Sequence, residues 1–201
     1  MKNEFTDSIK NHQAVFGLEL SDAAVERLAD YYDLVQKHNP LLHLVAPCSA
    51  EEFATRHILE SLTLLQHLPE NVRLADVGAG AGLPSIPCLL ARDDLSAVLI
   101  ESKIKKANFL GEAVNHLGLA KRANIINRQF EEVVAADFSF VTCRALDKFA
   151  DKLPRLLKWS KKRKLLLFGG ERLGEALQKQ EPEFEQKLMP LSNQRYLFAV
   201  R

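Results

Sequence analysis

Apolar residues recur at helical spacing in two stretches of the first 70 residues. The first stretch starts at Ser21, a residue type that caps helices, and we expect its helix to end at Asn39 and Pro40. Its apolar face consists of Val25, Leu28, Tyr32 and Val35. The second stretch follows a capping box of Ser49 and Glu52. Its apolar face consists of Ile58, Leu62 and Leu65. Residues 1–70 are therefore predicted to form an N-terminal helical extension.

After Pro69, short apolar runs alternate with helical stretches. Strands are predicted at residues 73–77, 97–101, 124–127, 138–143 and 164–168, followed by a pair at 184–188 and 196–200. The clearest helix begins at Ile104 and is closed by Gly118. Strand–helix alternation predicts an α/β fold with a mostly parallel sheet, whereas the final pair has no helix between its strands and predicts an antiparallel edge. Residues 71–201 are expected to form one compact domain.

The composition, 47% hydrophobic and 26% charged in 201 residues, is typical of soluble globular proteins. No apolar run reaches the roughly 18 residues of a membrane span, and the polar start has no signal-peptide core. Cys48, Cys88 and Cys143 are odd in number and widely spaced, which excludes a disulfide framework and a CxxC metal site. We expect a cytoplasmic protein with no membrane contact and no metal.

The net charge of +1 hides an uneven distribution. Residues 1–70 contain 5 Lys or Arg and 11 Asp or Glu, whereas residues 71–201 contain 22 and 15. Residues 141–165 alone contain 9 basic and 2 acidic side chains. A basic C-terminal portion favours a polyanionic partner, although a solvated lysine face would give the same distribution.

The most informative segment is a glycine-rich turn at the end of the first predicted strand, which reads Asp-Val-Gly-Ala-Gly-Ala-Gly-Leu-Pro over residues 76–84. Glycines adopt positive φ angles and let a ligand approach the backbone. In a doubly wound sheet, the carboxyl ends of the strands open on the ligand crevice. The turn is therefore a predicted ligand site, with a structural tight turn as the alternative. Its three glycines are Gly78, Gly80 and Gly82.

The spacing of this turn restricts its ligand. No Lys-Ser/Thr pair follows the glycines, which excludes the common phosphate-binding loop, and Leu83 takes the place of the last glycine of a dinucleotide loop. Asp76 suits a cationic ligand, and Glu101 ends the next predicted strand, where a ribose diol would lie. The turn and the two acids together indicate S-adenosylmethionine.

Other catalytic motifs are weak or missing. The sequence has no GxSxG or HExxH motif, and Cys88 and Cys143 fit small buried side chains better than nucleophiles. After the fourth strand, residues 142–146 read Thr-Cys-Arg-Ala-Leu and not the Asn/Asp-Pro-Pro-aromatic motif of exocyclic-amine methyltransferases. Since arginine is a permanent hydrogen-bond donor and cannot act as a base, Arg144 suits a target atom with a free lone pair, such as a purine ring nitrogen.

The sequence resembles the bacterial 16S rRNA (guanine-N7) methyltransferase G family, also called glucose-inhibited division protein B. The resemblance spans nearly the whole chain. Its most specific parts are RHILESL at residues 56–62, GLPSIP at 82–87 and Arg-Ala at 144–145. Further matches are Glu101-Ser102, Lys105-Lys106, Phe109-Leu110 and Arg195-Tyr196-Leu197.

The resemblance implies a Rossmann-like class I S-adenosylmethionine-dependent methyltransferase. Its target would be N7 of guanine 527 in the 530 loop of 16S rRNA, as naked rRNA, a 30S subunit or an assembly intermediate. The family's cofactor positions fall on Gly78, Leu83, Phe130, Glu131 and Arg144. The chain departs from the family pattern in having Glu60 and Glu101 in place of Asp, a displaced Arg128, and Phe168 in place of Lys.

Arg144 is our hypothesis for the residue beside the reacting atoms, where its guanidinium would face the acceptor edge of guanine bidentately. RNA contacts are predicted for Lys105, Lys106, Arg128 and Arg195. The structural alternatives are an ion pair of Arg144 with Asp147 or Glu131, and ordinary surface positions for the two lysines. Two other functions stay open: a small-molecule methyltransferase with the same loop, and an RNA-binding protein with a degenerate methyltransferase fold. None of them requires an oligomer.

Overall fold

The computed structural model describes residues 2–134, 137–144, 149–161, 163–180 and 183–200. Its helices are α1 Lys2–His12, α2 Asp22–Leu42, α3 Ala50–Glu52, α4 Glu60–Leu62, α5 Ser85–Ala91, α6 Ile104–His116, α7 Phe149–Ser160 and α8 Glu171–Gln180. A π-helix, Phe53–Leu59, joins α3 to α4, and short 3₁₀ turns occur at Gln13–Phe16, Thr63–Gln66 and Phe130–Glu132. In these described ranges, no helix is both long and apolar enough to cross a membrane.

Seven strands form one sheet, in the order β3-β2-β1-β4-β5-β7-β6. They are β1 Arg73–Val77, β2 Ser96–Ile100, β3 Ala123–Ile126, β4 Phe140–Arg144, β5 Lys164–Gly169, β6 Phe184–Leu188 and β7 Tyr196–Val200. The first five are parallel, whereas β7 runs antiparallel to both β5 and β6. The predicted mostly parallel sheet with an antiparallel C-terminal edge is therefore confirmed.

The strand order reverses direction between β1 and β4, which places a crevice there. β1 pairs with β2 on one side and with β4 on the other. The carboxyl ends of these three strands, at Val77, Ile100 and Arg144, consequently lie at the same edge of the sheet. Ligands of open α/β sheets bind at such a reversal point.

In the helical part of the chain, both predicted N-caps are observed, but the predicted C-terminal end of α2 is not. The Ser21 hydroxyl accepts the N–H of Ala24 at 3.2 Å, and the Ser49 hydroxyl accepts that of Glu52 at 3.0 Å. The expected stop of α2 at Asn39-Pro40 is wrong, because the helix continues through Leu42. Pro40 lies in the last turn, where its missing N–H removes only one helical hydrogen bond.

Helix α1 was not indicated by the apolar pattern, because only Phe5 and Ile9 are large apolar side chains buried from it. The Phe5 ring stacks on Tyr32 of α2 with the centroids 4.6 Å apart. The helices of the first 70 residues share one buried apolar cluster with β1, β2, α5 and α6, and a second cluster packs α7 and α8 on the opposite face. Residue 70 separates two sequence patterns, but the hydrophobic core runs across it.

Candidate active site

The glycine-rich turn leaves β1 and forms the floor of a cleft of about 380 Å³. Gly78, Gly80 and Gly82 have φ angles of +72°, +56° and +95°, which other residues rarely adopt. A Cβ at Gly82 would overlap the side chain of Ile86, so this glycine also lets α5 approach the turn. The cleft is lined by residues 44–46, 56–57, 78–81, 83, 101–103, 106, 144 and 152.

Asp76 does not line this cleft and lies behind the glycine-rich turn. Its carboxylate is fully buried, Oδ2 accepts the N–H of Ser85 at 3.4 Å, and Oδ1 has no hydrogen-bond partner among the described residues. Burial raises the pKa of Asp76 to about 7. Asp76 and Gly82 were expected to meet the ligand, whereas both face α5. The structure thus places neither residue on the wall of the cleft, and we propose that both support the turn.

Glu101 lies at the rim of the cleft, as the sequence predicts. Its side chain is only 6% exposed. Oε2 accepts the N–H of Gly80 at 3.0 Å, and Oε1 accepts the N–H of Lys103 at 2.7 Å. The carboxylate therefore ties the turn after β1 to the end of β2.

Of the two predicted cofactor residues after β3, one lies beside the cleft and the other does not. Phe130 is buried and lines a hollow of about 30 Å³ that shares Gly78 with the cleft. Glu131 lines neither cavity, because it forms an ion pair with Arg155 at 3.1 Å. Phe130 is brought to the site together with Leu83, and Glu131 is not.

Arg144 ends β4 and forms the wall of the cleft opposite Glu101. Its side chain is 11% exposed, and Nη2 donates to the carbonyl of Arg56 at 2.6 Å and to Glu60 Oε2 at 3.3 Å. The centre of the Phe168 ring lies 5.4 Å from the guanidinium carbon. An ion pair between Arg144 and Glu131 is therefore wrong, and Asp147 lies outside the described residues.

The Glu60 carboxylate is 2% exposed and is shared by two arginines. Its Oε1 accepts from Arg195 Nε at 2.7 Å, while Oε2 faces Arg144. Arg195 was expected to contact RNA, but the structure engages its guanidinium with Glu60 and leaves the side chain 30% exposed. One buried acid thus joins the helical region, β4 and the segment before β7.

Sequence reasoning missed the role of Arg56 and His57, although both lie in the RHILESL motif. The wide turns of the π-helix place them on the cleft wall. Burial and the neighbouring Arg144, Arg56 and Arg195 lower the pKa of His57 to about 3, so its imidazole is neutral at physiological pH. Its Nδ1 is buried and has no hydrogen-bond partner among the described residues.

The basic residues predicted to contact RNA lie at different distances from the cleft. Lys106 lines it and donates to the carbonyl of His43 at 3.4 Å. Lys105 and Arg128 are exposed, and Arg128 borders the hollow beside Phe130. Lys152 of the basic stretch 141–165 also lines the cleft, a position that the charge distribution alone could not single out.

Comparison with known proteins decides the family. The family described as rRNA small subunit methyltransferase G matches residues 24–195. The chain belongs to this family. Curated members named ribosomal RNA small subunit methyltransferase G include one from Nitrosospira multiformis, 41% identical over 69% of this chain and 63% of its own, and one from Chromobacterium violaceum, 36% identical over 76% and 74%. The Neisseria meningitidis serogroup C member is 37% identical over 69% of this chain and 66% of its own, so the match spans just under two thirds of that relative.

Solved structures share the fold of this methyltransferase G family member. The B. subtilis M1A22 tRNA methyltransferase TrmK superimposes with a TM-score of 0.53 and 17% identity, over 70% of this chain and 64% of its own. The ribosomal protein L11 methylase of Lactobacillus delbrueckii superimposes with a TM-score of 0.56 and 15% identity, over 73% of this chain and 78% of its own. M. jannaschii TYW2, solved in complex with AdoMet, superimposes with a TM-score of 0.55 and 16% identity, over 72% of this chain and 74% of its own. At these identities the likeness establishes a Rossmann-like methyltransferase fold.

The shared Glu60 carboxylate predicts a large effect of Glu60→Gln. Removing one partner of a buried ion pair leaves uncompensated charge and typically costs about 3–5 kcal/mol, so the free energy of unfolding should fall by that amount. Urea denaturation measures it. The matched control is Glu52→Gln, because Glu52 pairs with Arg56 at 2.8 Å but is 45% exposed, and the expected loss is below about 1 kcal/mol. Equal losses of unfolding free energy in the two variants would contradict this role of Glu60.

Asp76 predicts a pH-dependent stability. Its pKa is about 7 in the folded chain and 3.8 in the unfolded one, so the folded chain binds more protons between these values. Stability contributed by this group is therefore lost as the pH rises from about 4 to 7. The free energy of unfolding of Asp76→Asn should therefore increase relative to that of the wild type across this window, by up to roughly 4 kcal/mol. Denaturation at pH 5 and pH 8 measures the gain, and a difference that does not change with pH would contradict the prediction.

Tyr31 of α2 supports the turn from the helical side. It is fully buried, and its hydroxyl donates to the carbonyl of Ala81 at 2.9 Å. Tyr31→Phe leaves that carbonyl without its donor and should lower the free energy of unfolding by about 1–3 kcal/mol. Tyr32→Phe is the control, because the Tyr32 ring stacks on Phe5 instead. The two variants would unfold alike in denaturant if the turn did not depend on this bond.

Proposed function

We propose that this chain transfers a methyl group from S-adenosylmethionine to N7 of a guanine in 16S rRNA, with guanine 527 of the 530 loop as the target. The observation that carries the proposal is the cleft at the strand-order reversal. It brings Gly78, Gly80, Glu101 and Arg144 together in a member of the methyltransferase G family.

The residues of the cleft fit the cofactor. Gly78 and Gly80 present a floor without side chains, and each oxygen of Glu101 accepts only one backbone N–H, which leaves lone pairs for ribose hydroxyls. Leu83 offers apolar surface for an adenine ring, and Phe130 lines the small hollow next to the cleft. When bound, S-adenosylmethionine supplies an electrophilic methyl group on a sulfonium.

The chain's own residues then have to orient the target and exclude water. Guanine N7 already carries a free lone pair, so no side chain needs to remove a proton. The groups next to the cleft agree with this, because His57 is neutral and Arg144 remains a donor. Alignment of the reacting atoms, rather than acid–base chemistry, is the contribution we assign to this site.

The basic residues around the cleft suit an RNA substrate better than a small molecule. Lys106 and Lys152 lie on its wall, and Lys105 and Arg128 are exposed nearby. Lysine and arginine at such positions hold phosphates and orient the nucleic acid without reading its sequence. We propose naked rRNA, a 30S subunit or an assembly intermediate as the form that binds.

The proposal predicts a new N7-methylguanosine at this position when the protein and S-adenosylmethionine are added to 30S subunits that lack the modification. Nuclease digestion and mass spectrometry locate it. Gly80→Val should weaken S-adenosylmethionine binding in calorimetry and abolish methylation, because valine at a φ of +56° strains the turn. Gly111→Val is the control, since no atom lies within 4 Å of a Cβ built at Gly111.

Three outcomes separate the candidate functions. Methylated guanine in rRNA supports the proposal. Cofactor binding without rRNA methylation would point to a small-molecule methyltransferase, and rRNA binding without cofactor binding to a degenerate methyltransferase fold. RNA binding to the wild type should also weaken steeply with salt, because phosphate contacts release counterions.

A further inference from the structure

A second pocket adjoins the cleft described above. Its volume is about 250 Å³, and it shares Arg56, His57 and Arg144 with that cleft. Its remaining wall comes from Glu60, Phe168, Gly169, Gly170, Arg195 and Tyr196. The two cavities therefore adjoin at these three residues.

Two buried polar atoms on the shared wall have no partner among the described residues. They are Arg144 Nη1 and His57 Nδ1. The other terminal nitrogen of Arg144 is already engaged by the Arg56 carbonyl and by Glu60. A buried donor on a charged group is expensive to leave unpaired, so Nη1 is suited to an acceptor that a ligand brings.

The other walls suit a flat, nucleotide-like ligand. The Phe168 ring lies 5.4 Å from the Arg144 guanidinium carbon, and the half-buried Tyr196, which pairs with Gly169 in the sheet, also lines the pocket. Aromatic rings and guanidinium planes are the surfaces on which unstacked RNA bases rest. Three arginines and one carboxylate give the pocket an excess of positive charge, which favours a ligand that carries phosphate.

We propose that this second pocket receives the target guanine, extruded from the RNA, with its O6 accepting from Arg144 Nη1 and its ring resting on Tyr196. This inference rests on the function proposed above. Guanine presents acceptors at O6 and N7, whereas adenine presents an amino donor in place of O6, which an arginine cannot accept. A single donation to O6 keeps the N7 lone pair free, whereas the bidentate contact considered from sequence would engage it.

Guanine analogues test the O6 contact. The substrates are 30S subunits reconstituted with a synthetic 530-loop segment that carries guanosine, inosine or 2-aminopurine riboside at the target position. Inosine keeps O6 and N7 and should be methylated nearly as well as guanosine. The 2-aminopurine substrate keeps N7 but lacks O6, so its kcat/KM should be about 10²-fold lower.

Variants assign the effect to these side chains. In Arg144→Ala, guanosine methylation should fall, and the difference between inosine and 2-aminopurine should vanish. Tyr196→Ala should raise KM by at least about 10-fold without changing S-adenosylmethionine affinity in calorimetry, whereas Tyr196→Phe keeps the ring and should raise KM less than Tyr196→Ala does. If Arg144→Ala fails to fold, the analogue series with the wild type still decides.

The failures of the two proposals are distinguishable. Guanosine methylation at N7, with 2-aminopurine accepted as well as inosine, would overturn the pocket and leave the proposed function standing. Wild-type KM in Tyr196→Ala would overturn the stacking role. A guanosine substrate that stays unmethylated would overturn the proposed function itself.

Discussion

The Glu60 carboxylate is buried between two arginines that are far apart in the chain, and the geometry of the candidate site depends on it. A carboxylate removed from water is tolerated only if charge and hydrogen bonds replace its hydration. Arg144 and Arg195 supply both, at 3.3 Å and 2.7 Å. In return, the acid and the Arg56 carbonyl fix Nη2 of the Arg144 guanidinium, while Nη1 has no partner among the described residues.

The sheet supplies the second constraint. Its strand order reverses between β1 and β4, so that the glycine-rich turn, Glu101 and Arg144 meet at one edge. The helical residues complete the arrangement from the other side, with Tyr31 behind the turn and His57 on the wall. The candidate site therefore lies between the helices of the first 70 residues and the sheet, and both contribute to it.

The elements of the sheet were predictable, because each strand is a short apolar run bounded by turn residues, and the observed bounds differ from the predicted ones by at most two residues. The turn and Glu101 were predictable for a similar reason, since strand ends in this fold share an edge. The positions of Asp76, Glu131 and Arg195 were not. Each depends on a contact with another part of the chain, namely α5, Arg155 or Glu60. Such contacts cannot be inferred from the spacing of residues along the sequence.

The ion pair between Glu60 and Arg195 joins residues 135 positions apart. A chain emerging from the ribosome exposes the acid long before its second partner has been synthesised. Until the β6–β7 hairpin docks, Glu60 at the start of α4 lacks the contact with Arg195. Contacts of such high sequence separation form late in folding. The pocket beside Arg144 is consequently among the last parts of the molecule to assemble during biosynthesis, so that a nascent chain lacks the pocket proposed above to receive guanine.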